Sequence, residues 1–245
     1  MNTAKIIALT QPILSAWETQ TERAIGAEAF IAYTARVSNP SNQHNTLTAP
    51  KLLKYLIKNK HWSPFEMVSI TMDIQTTRDI AHQIIRHRSF SFQEFSQRYA
   101  DPTKDMGFVT REARLQDAKN RQNSIETDDD NLKYDWNYLQ GVVGDLAVRH
   151  YKTAIELGIA KEQARAILPE GLTKTRLYMS GTLRSWIHWI DVRAEVGTQK
   201  EHRLIALDAQ EEILKHFPSL REYWHPAPIQ MENPDAKEKP WWPFW

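Results

Sequence analysis

The hydrophobic positions of this chain change period several times, and each change marks an element. Residues 4–9 form an apolar run that Pro12 breaks, which predicts a short β-strand. From Thr21 the stretch TERAIGAEAFIAYTARVS carries Ala24, Ile25, Ala29, Ile31 and Ala32 at helical spacing, and Asn39-Pro40-Ser41-Asn42 closes it with turn residues. Residues 51–60, KLLKYLIKNK, predict a second amphipathic helix. The period then becomes two: over residues 67–75, Val68, Ile70, Met72 and Ile74 share one face, as in a half-buried strand. Thr77 is placed to cap a following helix whose apolar side is Ile80, Ala81, Ile84 and Ile85.

Residues 96–109 are less regular, with turns at Pro102 and Gly107 and a short strand expected after Gly107. Residues 111–133 are charged and polar, an exposed connection or helix. In it Asp128, Asp129 and Asp130 read as solvated surface or as a helix start, since acidic side chains favour that end. Residues 131–158 repeat Leu139, Val142, Val143, Leu146, Ala147 and Tyr151 as a long helix, and residues 159–168 form a second one that Pro169 stops. Residues 173–180 predict a strand, and Ser180-Gly181-Thr182 turns it into a helix with Thr182 as N-cap. On that helix Arg184, His188 and Asp191 fall on one face, and Trp186, Trp189, Ile190 and Arg193 on another. Residues 199–217 make a last amphipathic helix, and from Glu222 the chain is Pro-rich and ends WWPFW. Strands alternate with helices and no linker intervenes. One α/β (α+β) domain over residues 1–220 with a Pro/Trp-rich tail over 221–245 is therefore expected.

Composition narrows the chemistry. The chain has 245 residues and a net charge of +1, so its overall field does not attract nucleic acid and any anion site must be local. It has no cysteine, which removes disulfides, thiolate metal sites and a thiolate nucleophile. The N-terminus has no signal-peptide pattern and no run of about 18 apolar residues occurs, so a cytoplasmic protein without a membrane span is expected. GxGxxG, GxxxxGK and HExxH are all absent. A bound dinucleotide would meet arginine, histidine and helix N-termini instead, and no metal is expected.

The candidate chemistry gathers in residues 83–98, QIIRHRSFSFQEFSQR. If the helix runs on through Arg88, then Gln83, Arg86 and His87 share a face and Arg88 lies beside Ile84 and Ile85, a semi-buried anion site. Two plainer readings stand beside it: a solvated helix end carrying cations, and a phosphate-contacting nucleic-acid patch. Thr182, Arg184 and His188 offer a second polar face, against the reading of a surface helix with two core tryptophans.

The full string is Arg86-His87-Arg88, seven residues, then Ser96, with Gln83 ahead and Glu94-Phe95-Ser96-Gln97-Arg98 closing it. It resembles the signature of the flavin-dependent thymidylate synthases, the FAD-using class. The resemblance extends through Ala35-Arg36-Val37-Ser38, His61 to Glu66, Arg165 before Leu168-Pro169, and Thr182-Leu183-Arg184 with His188 and Arg193, in order over roughly residues 35–200. Thr182 stands where many relatives have Asn, Gly197 where some carry a His on the flavin, and the loop after Pro169 is one residue longer than in some. The resemblance implies a central, mostly antiparallel sheet flanked by long helices. It also implies reductive methylation of dUMP to dTMP, with methylenetetrahydrofolate as one-carbon donor and NADPH reducing FAD. FAD would meet Ser63, Arg86, His87, Arg88, Glu94, Thr182, Leu183, Arg184 and His188. dUMP would meet Gln83, Ile84, Ile85, Arg86, Glu94, Phe95, Ser96, Gln97, Arg98, Arg165 and Arg193. Arg193 would activate the uracil, and Ser96, with no evident base, would bind phosphate. Active sites shared between subunits of a homotetramer are implied too. The alternative is a nucleic-acid-binding protein using the RHR segment.

Overall fold

The two-period segment becomes the spine of the sheet. In the computed structural model, which describes residues 2–13 and 26–225, β2 (Ser69–Thr77) pairs antiparallel with β1 (Thr3–Leu9) on one side and β6 (Lys174–Thr182) on the other. β3 (Ser91–Glu94) adds beyond β6, giving the order β1-β2-β6-β3. Ile70, Met72 and Ile74 are wholly buried, as are Leu177 and Met179 of β6. The opposite face is polar. There Thr71 bonds Ser180 at 2.9 Å, and Arg176 bonds Asp73 at 2.6 Å and lies over the Tyr178 ring. A sheet with one apolar and one polar face is what the alternation dictates.

Helices cover the apolar face. α1 (Ala27–Ala35) and α2 (Ala49–Lys58) pack on each other. α7 (Leu183–Arg193) follows β6, and α8 (Lys200–His216) lies along β1. There the Asp208 and Glu212 carboxylates accept from the Ala4 and Ile6 amides at 2.6 and 3.4 Å. These edge-strand donors would otherwise be left for another chain to pair with. Trp186 of α7 reaches back to donate its indole N–H to the Ile70 carbonyl at 3.1 Å, so this core indole is also satisfied.

The Asp run is a helix start. The Asp129 carboxylate accepts from the Asn131 and Leu132 amides at 3.0 and 3.1 Å and caps α5 (Asp130–Glu156). Other boundaries moved. Residues 111–133 hold a small hairpin, β4 (Arg114–Gln116) with β5 (Ser124–Glu126). A four-residue helix, α4 (Pro102–Asp105), precedes Gly107. The expected strand after Gly107 is a single bridge between Phe108 and Thr173. The helix expected over 159–168 is only α6 (Lys161–Ala164) followed by a 3-10 turn, Arg165–Ile167, because Pro169 denies Leu168 the helical conformation. Residues 21–25 of the first predicted helix and residues 226–245 of the expected tail lie outside the described residues. Residues 221–224 form α9 (Arg221–Trp224), which is pinned to the domain. Tyr223 and Trp224 both donate to the Asp191 carboxylate, at 2.7 and 3.0 Å.

Gly181, in β6 just before α7, has no room for a side chain. A Cβ there would overlap the Phe90 ring at Cδ1 and Cε1, and that ring packs on Trp186 with centroids 4.9 Å apart. Gly181→Ala is therefore expected to cost about 1–3 kcal/mol by overpacking. Thermal denaturation checks this. The Tm should fall for Gly181→Ala and partly recover when Phe90→Leu is added, whereas an unchanged Tm in the single variant would contradict the contact.

Candidate functional site

α3 (Arg78–Ile84) leaves β2 through Thr77, which stands at the N-cap position with extended backbone but makes no cap bond. Its hydroxyl instead donates to Asp79 at 2.6 Å, and Arg111 bridges both side chains at 2.6–2.8 Å. The helix ends at Ile84, earlier than its apolar pattern suggested. Burial of Phe90 on Trp186 decides this: a continuing helix would carry Phe90 away from that contact, so the chain turns back through His87. Gln83, Arg86 and His87 consequently do not share a helix face. Arg88 is exposed rather than semi-buried, and Ile85 is itself 40% exposed. Arg86 and Arg88 make no hydrogen bond or ion pair among the described residues, and of the three only His87 points inward.

There it meets Arg193, in the last turn of α7, where a cation also suits the helix dipole. Arg193 Nε donates to His87 Nε2 at 3.0 Å. The His87 ring stands edge-on to Trp189 and to His202 of α8, with centroids 6.4 and 6.5 Å apart. His202 is wholly buried. Its Nδ1 lies 3.2 Å from Gln83 Oε1. Gln83 Nε2 donates to Gln199 Oε1 at 2.8 Å, Gln199 Nε2 donates to Glu201 at 3.0 Å, and Glu201 pairs with Arg114. Burial, then the nearby Arg193 charge, then His188 lower the pKa of His87 to about 4. Burial, Arg193 and His87 lower that of His202 to about 3. Both imidazoles are thus neutral at pH 7, as the Arg193 bond requires of His87.

The other expected contacts surround this cluster. Glu94, at the end of β3, accepts from Arg78 at 3.2 Å and from Thr175 at 2.8 Å. Phe95 donates its amide to the Arg176 carbonyl, and the Gln97 side chain is buried. Ser96 Oγ accepts from the Arg98 amide at 3.4 Å, and no base hydrogen-bonds its hydroxyl among the described residues, which leaves it without the activation a nucleophile needs. Arg98 pairs with the Glu162 carboxylate and Arg165 donates to the Glu162 carbonyl, both at 3.2 Å. No bond joins these two arginines to His87 or Arg193 among the described residues. Thr182 caps α7 as expected, accepting from the Ser185 amide at 3.3 Å, and Leu183 is buried with its amide on the Val68 carbonyl. Arg184 pairs with Glu66 across a recess of about 390 Å³ that Trp62, Ser89 and His188 also line. Ser63 is exposed on the adjoining 3-10 turn, Ser63–Met67. A larger cavity, about 750 Å³, lies behind the cluster between the β4–β5 hairpin and the start of α8, with Gln199 in its wall.

The two blocks of the sequence signature therefore meet in space. A family model described as thymidylate synthase complementing protein matches residues 21–219. A probable flavin-dependent thymidylate synthase of Paramecium bursaria Chlorella virus 1 is 48% identical over 217 residues, 89% of this chain and 96% of that one. The chain belongs to the flavin-dependent thymidylate synthase family. A second member of the family, from Synechocystis sp., is 51% identical over 196 residues, 80% of this chain and 88% of that one. The crystal structure of a UMP/dUMP methylase PolB from Streptomyces cacaoi bound with 5-Br dUMP superposes with a TM-score of 0.72 at 22% identity. It covers 91% of this chain and 94% of that one, and it shares the fold.

The family signature did not lead to Gln199, Glu201, His202 or Arg114. A signal was present: His202 precedes Ile205 and Ala206 by three and four residues, which puts a polar ring on the apolar side of α8. The two lowered histidines have a consequence for stability. Between the folded values, about 3 and 4, and the ordinary 6.5, the unfolded chain binds more protons than the folded one. Stability is then flat above about pH 6.5 and falls as pH drops through that window. For the buried His202 alone the loss at pH 5 is about 2 kcal/mol, or roughly 4–8 °C in Tm for a chain of this size. Calorimetry at pH 7.5 and pH 5 measures it, and an equal Tm at both would contradict the neutral buried rings.

Proposed function

We propose that this protein catalyses the reductive methylation of dUMP to dTMP, taking the one-carbon unit from methylenetetrahydrofolate and using NADPH and FAD. The observation that carries the reading is the Arg193–His87 bond, which joins residues 106 positions apart, one from each block of the signature. FAD, when bound, supplies hydride transfer, which no side chain can. The residues suit it. Arg86 and Arg88 hold cations with no internal partner, fit for pyrophosphate oxygens. The recess at Ser89, Arg184 and His188 has an aromatic wall in Trp62. Its volume is near the lower end of the roughly 300–1,000 Å³ of ligand sites, room for part of a dinucleotide.

The remainder is supplied by other copies of the chain, in a homotetramer with shared sites. α5 favours this: Trp136, Leu139, Val142, Val143 and Leu146 are 41–57% exposed, an apolar stripe that water does not suit. Arg98 and Arg165, which converge on Glu162 away from Arg193, then complete a neighbouring subunit's site. No helix among the described residues is long and apolar enough to cross a membrane, and the enzyme is assigned to the cytoplasm.

Arg193 acts on the uracil. With Nε given to neutral His87, its other four N–H groups remain to hydrogen-bond the pyrimidine. They stabilise the anionic, enolate-like ring that is the better nucleophile at C5. His87 adds no competing charge. The nucleic-acid alternative is not favoured, because His87, the middle residue of RHR, faces the core rather than solvent.

Arg193→Ala should purify yellow, with FAD bound, while dTMP formation falls about 10²–10³-fold, the loss typical when one oxyanion donor is removed. Full turnover in that variant would remove Arg193 from the chemistry. Arg88→Ala should purify colourless, and a normal flavin spectrum would show that Arg88 does not hold the cofactor.

A further inference from the structure

The geometry points to His202 as a positioning residue: with Gln199 and Glu201 it fixes which way round the Gln83 amide stands, and so which polar atoms Gln83 turns towards the nucleotide. This rests on the reading of Gln83 as a dUMP contact. Four side chains stand in line, Glu201, Gln199, Gln83 and His202, with successive polar atoms 3.0, 2.8 and 3.2 Å apart. Heavy-atom positions alone do not tell an amide nitrogen from its oxygen, but the chemistry of the two ends does.

Burial opposes charge on Glu201, yet hydrogen bonds from Arg114, its own amide and Gln199 together hold its carboxyl below the usual range, so it is ionised at neutral pH. An ionised carboxylate only accepts. The Gln199 group facing it must therefore be the NH₂, and the Gln199 carbonyl must face Gln83. Gln83 must in turn donate there and present its own carbonyl to His202. That leaves His202 to donate from Nδ1, with a bare lone pair on Nε2. Nε2 is indeed the ring atom that is buried with no hydrogen-bond partner among the described residues. The ring itself is held by Trp189, 5.7 Å away between centroids, and by His87 edge-on.

A leucine would fill this buried place on α8 without desolvating a polar ring. What only a donor at Nδ1 supplies is the partner for the Gln83 carbonyl. Gln83 cannot reverse alone, because Gln199 would then have to turn its carbonyl onto the Glu201 carboxylate. Half-buried Gln83 is thus left with one free N–H and one free lone pair in set places. This discriminates donors from acceptors on whatever binds beside it.

The test compares FAD-loaded wild type with His202→Leu, which removes the donor, and His202→Asn, whose side-chain NH₂ replaces Nδ1–H. Titration with dUMP should show Kd raised about 10-fold in His202→Leu and returned to within about 3-fold of wild type in His202→Asn, since a lost buried hydrogen bond is worth about that much. FAD content and Tm of the two variants should be alike. Equal dUMP affinity in His202→Leu and wild type, or no recovery in His202→Asn, would overturn the proposal. Neutron diffraction on wild-type crystals supplies a second readout that needs no nucleotide. A deuteron on His202 Nδ1 and amide deuterons of Gln83 towards Gln199 are expected, and a deuteron on Nε2 instead would overturn the relay. If wild type itself does not bind dUMP, the substrate reading fails, while the deuteron positions still decide the relay.

Discussion

One hydrogen bond, from Arg193 Nε to His87 Nε2, ties the site together. It links a surface turn to the end of a core helix, and it works only if His87 is neutral. Every neighbour serves that condition. Trp189 and the buried His202 keep water from the ring, and the guanidinium itself disfavours a second positive charge beside it. The turn is delivered to this place by Phe90, which is buried on Trp186, and Trp186 is in turn anchored to β2 through Ile70. The cationic site is thus suspended from the hydrophobic core rather than built on the surface.

A second constraint runs inward from the first. Arg114 and Glu201 form an ion pair at the start of α8, and from that fixed charge the polarity of the amides passes to Gln83. Buried polar groups of this kind hold one arrangement because each alternative leaves a donor or acceptor unmatched. The outer groups differ. Arg86 and Arg88 are exposed and unpaired, so they remain available to an anion, while Glu94, Arg98 and Arg184 are engaged with protein partners.

Much of this was legible in the sequence where one physical signal dominated. The alternation of Val68, Ile70, Met72 and Ile74 located the central strand, because one buried face imposes a period of two. Thr182 caps α7 because orphan amides demand acceptors, and of the two readings of the Asp run the helix start holds for the same reason. The faces of α7 follow from its sequence, since Trp186, Trp189 and Ile190 leave no other side for the core. Elements set by distant partners were not legible. The end of α3 depends on where Phe90 finds Trp186, about a hundred residues further on. The β4–β5 hairpin has three residues per strand, too few to show a period. His202 sat in plain view on the apolar side of α8, yet its partner Gln83 comes from another helix, and spacing along one helix cannot reveal that.

The site depends on a neutral His87 accepting from Arg193. Ring nitrogen chemical shifts of His87, followed by ¹⁵N NMR in selectively labelled protein from pH 5 to pH 8, test this most directly. An Nε2 that stays largely unprotonated through this range, with its midpoint below pH 5, is the predicted result. A midpoint near the ordinary histidine value of about 6.5, or a proton on Nε2 at neutral pH, would contradict it.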